Sequence, residues 1–130
     1  MMIISFAWTT QAIIQGKKTE TRRFWNYDYM ERFWKSCQAN DMRFIGYNKS
    51  PRFGGCPIAL CRIKQKPYLQ DLKFVTDADE KAEGGLWGSA DEYRKAMAGH
   101  DQIPYVIKFE VLAQAPDNIA MTADLFKQQK

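Results

Sequence analysis

At 130 residues, with 45% apolar and 14% aromatic side chains, the chain has the length and composition of one globular domain with its own core rather than of a disordered segment. No apolar run approaches the roughly 18–20 residues of a membrane-spanning helix, and three cysteines without a C-x-x-C pair plus a single histidine, His100, argue against a disulfide framework, a zinc site or any other metal centre. The net charge of +4 is uneven: residues 1–66 hold 12 Lys/Arg against 4 Asp/Glu, and residues 67–130 hold 7 against 11, a balance that suits a phosphate-bearing partner in the first half and equally a solvated basic surface.

The opening Ile3-Ile4-Ser5-Phe6 lacks a basic leader and predicts a first strand rather than a secretory signal. Thr9-Thr10 precede a short helix over 11–15, with Gly16 as its stop. The octet Gly16-Lys17-Lys18-Thr19-Glu20-Thr21-Arg22-Arg23 follows, too polar for core, and its β-favouring threonines predict a strand. Period-two alternation places Lys18, Glu20 and Arg22 on one face and Thr19, Thr21 and Arg23 on the other. A helix over 26–40 carries the stripe Tyr29, Met30, Phe33, Trp34 and Cys37 toward a core. A strand from Met42 runs into a turn rich in Pro, Gly, Asn and Ser, another strand covers 57–63, and an extended or edge segment lies around 68–75. Thr76 with Asp79, and Ser89 with Glu92, start two short helices on either side of Glu83-Gly84-Gly85-Leu86-Trp87-Gly88, the second stopping by Gly99. A last strand spans 104–112, and residues 113–130 read as a weak helix or loosely packed tail.

This order lacks the regular alternation and Gly-rich turn of a doubly wound parallel fold. It predicts an α+β domain over 1–130: a small, partly closed β-barrel of five to six strands decorated by short helices. The cysteines, Cys37, Cys56 and Cys61, read as small apolar residues buried in a reducing cytoplasm.

No hydrolase elbow, phosphate loop or dinucleotide fingerprint is present. Lys18 and Thr21 are the residues to inspect first, because a lysine kept neutral by burial or by neighbouring cations such as Lys17, Arg22 and Arg23 can take a hydroxyl proton and create a nucleophile. Alternation sets the two on opposite faces, so they converge only if the chain turns or bulges near 16–19; otherwise they are exposed strand residues. Glu83, ahead of Gly84-Gly85, is either a carboxylate turned toward a ligand or a surface glutamate at a helix end. Between Arg43 and Phe53, the basic Arg43, Lys49 and Arg52 interleave with Phe44, Tyr47 and Phe53, a mixture used for single-stranded RNA and common in ordinary hairpins.

Taken together, the opening strand, the helix ending at Gly16, the G-K-K-T-E-T-R motif, the Glu83-Gly84 pair and the closing strand Tyr105-Val106-Ile107-Lys108-Phe109-Glu110-Val111 resemble the ASCH domain family of the PUA-like superfamily. The resemblance covers nearly the whole chain, and it implies an RNA-associated module whose pocket lies where the motif meets the Glu-Gly turn. Compact relatives are amidohydrolases that remove acetyl from N4-acetylcytidine without a cofactor. Carried over, their lysine, threonine and glutamate fall on Lys18, Thr21 and Glu83, with Glu20, Arg22, Arg23 and Gly84 around the substrate and the family arginine at Arg22 or Arg23. The implied mechanism has Lys18 deprotonate Thr21, Arg23 or backbone N–H groups hold the oxyanion, and Glu83 assist the leaving amine. RNA or a modified cytidine nucleoside is the implied partner, and a noncatalytic RNA-binding module and a ribonuclease are the alternatives within the family. The chain departs from the compact pattern in an insertion over 26–53 and in its tail.

Overall fold

The computed structural model describes residues 1–114. Among these, six strands form one curled sheet, with the helices packed around it as a partly closed barrel: β1 (Ile3–Ser5), β2 (Glu20–Arg23), β3 (Arg43–Tyr47), β4 (Pro57–Ile63), β5 (Tyr68–Leu69) and β6 (Tyr105–Gln114). The strand order is β1-β3-β4-β6-β2, with β5 also on β6. β1 and β3 are parallel, and the other pairs are antiparallel.

The long closing strand bends the sheet. The stretch 109–114 of β6 pairs with β4, whereas 105–108 pairs with β2, and an irregularity between Leu60 and Cys61 marks the β4 register. Bulges of this kind increase local twist and curl a sheet toward closure. The extension of β6 through Gln114 corrects the predicted end at 112; the rest of the predicted tail lies outside the described residues. The extended segment at 68–75 shortens to the two residues of β5, followed by a single 3₁₀ turn over Leu72–Phe74.

The predicted helices form, with cleaner caps at some ends than at others. In α1 (Thr10–Ile14), neither threonine caps by its side chain; Thr10 Oγ1 instead donates to Phe6 O at 3.0 Å. Gly16 ends the helix at φ +73°, a conformation that a β-carbon disfavours. α2 (Tyr27–Ala39) is capped by Asn26, which accepts from Tyr29 N at 2.8 Å, and it buries Met30, Phe33 and Cys37. Thr76 and Asp79 close a reciprocal capping box on α3 (Asp77–Ala82), and Ser89 caps α4 (Ala90–Ala96).

Two apolar clusters result. The main one fills the curl of the sheet with Ile4, Phe6, Phe33, Phe44, Ile107 and Phe109 among others. Cys37 and Cys61 belong to it, their thiols pushed up by burial, while Cys56 is only half-buried. The smaller cluster joins Val75, Ala90 and Tyr93 to Leu72, Trp87 and Met97, and forms a lobe from the α3–α4 segment. No helix among the described residues is long and apolar enough to cross a membrane.

Candidate functional site

A cleft of about 210 Å³ opens where the two apolar clusters meet. Phe6 of the main core lines one side, Trp87, Tyr93 and Met97 of the lobe line the other, and Lys18, Thr21, Arg22, Arg23 and Glu83 supply its polar groups. The residues that alternation set on opposite faces therefore converge. The reason is local: 17–19 precede β2 and do not follow its pleat. Lys17 N and Lys18 N both donate to Ala12 O at the end of α1, at 2.8 and 3.2 Å, and Thr19 N donates to Ala82 O of α3 at 2.8 Å. This irregular connection delivers Lys18 to the face that Thr21 and Arg23 share. The reading of Lys18 and Thr21 as exposed strand residues is corrected, for they are only 2% and 3% exposed.

Glu83 is likewise no surface residue; it is 3% exposed. It caps the C-terminus of α3, where Gly84 N donates to Lys81 O and Gly85 N donates to Glu80 O, the paired bonds of a Schellman motif. Gly84, at φ +124°, permits this turn, and a β-carbon there would come 2.9 Å from Ala12 Cβ. Gly84 thus sets the approach of α3 to α1 and does not line the cleft; it borders a separate hollow with Trp8 and Gln15.

Lys18 Nζ donates to the Glu83 backbone carbonyl at 2.7 Å and lies 3.6 Å from its Oε1. Burial lowers the Lys18 pKa from 10.5 to about 8; Glu83 opposes that shift, and Arg23 and Arg22 reinforce it. A neutral amine can still donate to the carbonyl while its lone pair accepts a proton. Tyr93 OH donates to Glu83 Oε1 at 3.4 Å, and the Tyr93 phenol is pushed well up by burial and then by Glu83. It therefore stays protonated at neutral pH.

The two arginines have different surroundings. Arg22 Nη1 meets Glu20 Oε1 at 2.9 Å and Glu83 Oε2 at 3.5 Å, Nη2 lies 3.6 Å from Asp79 Oδ2, and Nε and Nη2 donate to Gln70 Oε1 at 3.0 and 2.6 Å. Burial opposes its charge, yet Glu83 and Glu20 outweigh that and raise its pKa. Glu20 is committed to this network rather than to the cleft lining, and burial raises its carboxyl pKa against the pull of Arg22. Arg23 Nε donates to Thr21 Oγ1 at 3.2 Å and Nη2 donates to Ser5 O at 2.8 Å. Its Cζ stands over the Phe6 ring at 5.3 Å, and burial lowers its pKa. Among the described residues, no carboxylate lies within ion-pair distance of Arg23.

The chain matches no family model, no curated protein and no solved structure. A buried amine of lowered basicity, a buried hydroxyl whose oxygen accepts from a guanidinium, and a carboxylate tied to both amine and phenol border one cleft of about 210 Å³. Such a set can deprotonate a hydroxyl, stabilise the resulting oxygen anion and pass on its proton.

The segment 43–53 does not join this cleft. Phe44 is wholly buried, Arg43 and Tyr47 are half-buried on β3, and Lys49, Arg52 and Phe53 are exposed beyond it. β-pairing explains the split, since Phe44 and Gly46 turn inward while Arg43 faces Arg62 across the ladder. Sequence reasoning missed Trp8, Trp87 and Tyr93 as cleft residues. Tyr93 falls inside the short helix begun at Ser89, where nothing local marks it as a cleft residue, but Trp87 inside a glycine-rich turn, where no regular element calls for a large ring, is an available signal.

Proposed function

We propose that the cleft hydrolyses an acylated amine on a nucleobase, with the acetamide of N4-acetylcytidine as the substrate that fits its donor set and the resemblance to the ASCH amidohydrolases. The observation that carries this reading is the convergence of Lys18 and Thr21, from the 16–23 stretch, with Glu83, from the end of α3, as buried side chains on one cleft. The volume of about 210 Å³ is below the roughly 300 Å³ where drug-sized pockets begin, and it suits a single base with a small acyl group.

In this mechanism Lys18 in its neutral form accepts the Thr21 hydroxyl proton, and Thr21 Oγ attacks the acetamide carbonyl carbon. The bond from Arg23 Nε to Thr21 Oγ1 stabilises the oxygen as it gains negative charge, and the guanidinium helps to hold the tetrahedral oxyanion. Glu83 Oε1, 3.6 Å from Lys18 Nζ, relays the proton to the departing exocyclic nitrogen. The C–N bond breaks, cytidine leaves, and water cleaves the threonyl ester to acetate and free Thr21. With a Lys18 pKa of about 8, about one-tenth of the molecules hold a neutral amine at pH 7.

A noncatalytic nucleoside-binding module is the second reading. The observation that favours it is that Thr21 Oγ1 already accepts from Arg23, an arrangement that also serves to hold a ligand's polar edge. Incubation with N4-acetylcytidine, following acetate and cytidine, separates the two. The hydrolase reading expects turnover that Thr21→Ala abolishes, a loss of about a thousandfold or more, and that Lys18→Ala reduces by a similar order. Absence of turnover in the native protein, or turnover that survives both substitutions, overturns it.

A further inference from the structure

A second cleft of about 250 Å³ adjoins the first, and Ser5 and Arg23 line both. Its remaining walls include Trp25, Tyr29, Ser50 and Pro51. Trp25 and Tyr29 form an aromatic pair with ring centroids 4.8 Å apart, and Trp25 is seated against Phe33 of the core at 4.9 Å, so that this face is fixed by packing. Tyr29 and the Ser50–Pro51 rim come from the 26–53 insertion, and the rim is flanked in sequence by the exposed cations Lys49 and Arg52.

Arg23 is the hinge between the two spaces. Its Nε and Nη2 are held by Thr21 and Ser5, which leaves Nη1 without a hydrogen bond among the described residues. No carboxylate lies within 4 Å of the Arg23 guanidinium among the described residues, and Glu83 supports its charge only from farther away, in contrast to Arg22 next to it, which has three carboxylates within 4 Å. A partly desolvated guanidinium with no carboxylate in contact, flanked by a base-sized cleft on one side and an aromatic-walled cleft of similar volume on the other, matches one chemical unit: two nucleosides joined by a phosphodiester. Phosphate is among the anions whose geometry the guanidinium fork matches, and aromatic faces hold bases without regard to their sequence.

The geometry points to a second nucleotide subsite: the cleft of Trp25, Tyr29, Ser50 and Pro51 seats the base next to the target cytidine, and Arg23 Nη1 holds the phosphate between them. The natural ligand is thus a cytidine within single-stranded RNA rather than a free nucleoside. This inference rests on the nucleobase reading of the first cleft, but not on catalysis there.

Titrating the native protein with cytidine, with cytidine 3′- and 5′-monophosphates, and with ribodinucleotides carrying cytidine at either end tests it without turnover. The dinucleotide of correct polarity should bind about tenfold or more tighter than cytidine, with a monophosphate in between, the first gain from Arg23 and the second from stacking. Salt screens the single charge pair between Arg23 and the phosphate, so that dinucleotide's affinity should fall by somewhat less than about twofold from 50 to 200 mM salt, while cytidine stays level. Tyr29→Ala should lower the ratio of dinucleotide to monophosphate affinity toward one. Equal affinity for cytidine and both dinucleotides, a dinucleotide affinity indifferent to salt, or no binding by any of them overturns the subsite. Tight dinucleotide binding in a protein that releases no acetate upholds the subsite and removes the hydrolase reading; acetate release from the nucleoside without a dinucleotide advantage does the reverse.

Discussion

Arg22 and Arg23 are consecutive residues on β2, and the fold treats them in opposite ways. Arg22 shares a face with Glu20 and is enclosed by Glu20, Glu83, Asp79 and Gln70. Arg23 shares a face with Thr21, borders two clefts and meets only a hydroxyl, a backbone carbonyl and the Phe6 ring. A cation in contact with several carboxylates is part of the framework, whereas a cation that touches none keeps donor capacity for a ligand. Glu83 joins the two sides, with Oε2 toward Arg22 and Oε1 toward Lys18 and Tyr93.

The contrast breaks most readily at Arg22. Arg22→Met strands the buried Glu20 and Glu83 carboxylates, and removing one partner of a buried ion pair costs about 3–5 kcal/mol. Denaturant unfolding should show that loss as a lower midpoint with an unchanged slope. A loss below about 1 kcal/mol would mean that the network contributes no more than a surface pair.

Lys18 sharpens the comparison through pH. Its folded value of about 8 lies below its ordinary 10.5, so between these limits the unfolded chain binds more protons and stability rises with pH. The destabilisation from burying the charged amine is complete below pH 8, amounts to about 3 kcal/mol, and vanishes above 10.5. Relative to Lys18→Met, the native protein should gain about that much between pH 8 and 10.5. Parallel stability curves for the two proteins would show that Lys18 titrates as an ordinary lysine.

Arg23→Met should have the smallest effect on stability. Two hydrogen bonds are lost and no carboxylate is stranded, which costs about 1–2 kcal/mol, while turnover and the salt dependence of nucleotide binding both drop. A stability loss as large as that of Arg22→Met would erase the distinction between the two residues.

The elements were legible because period and caps agree with tertiary packing: the α2 stripe, the Thr76–Asp79 box and the Gly16 stop all form where local chemistry places them. The site was legible only in part. Composition and alternation mark Lys18 and Thr21 as surface residues on opposite faces, because alternation assumes that the strand starts at Lys18. The bonds from 17–19 to Ala12 and Ala82 are long-range facts that no local pattern carries. For the same reason local pattern leaves Glu83 open between a ligand-facing carboxylate and a surface helix-end glutamate, since its burial depends on the lobe that α4 and Trp87 fold over it. The resemblance already set Arg23 beside the substrate but left the family arginine at Arg22 or Arg23, and only their neighbours across the fold tell the two apart.

The pH dependence of N4-acetylcytidine deacetylation tests the central claim most directly. If neutral Lys18 activates Thr21, kcat/KM should rise about tenfold between pH 7 and pH 9, level off above an apparent pKa of about 8, and lose that step in Lys18→Met together with most of the activity. No acetate at any pH, or a profile that keeps the same step without Lys18, would contradict the account.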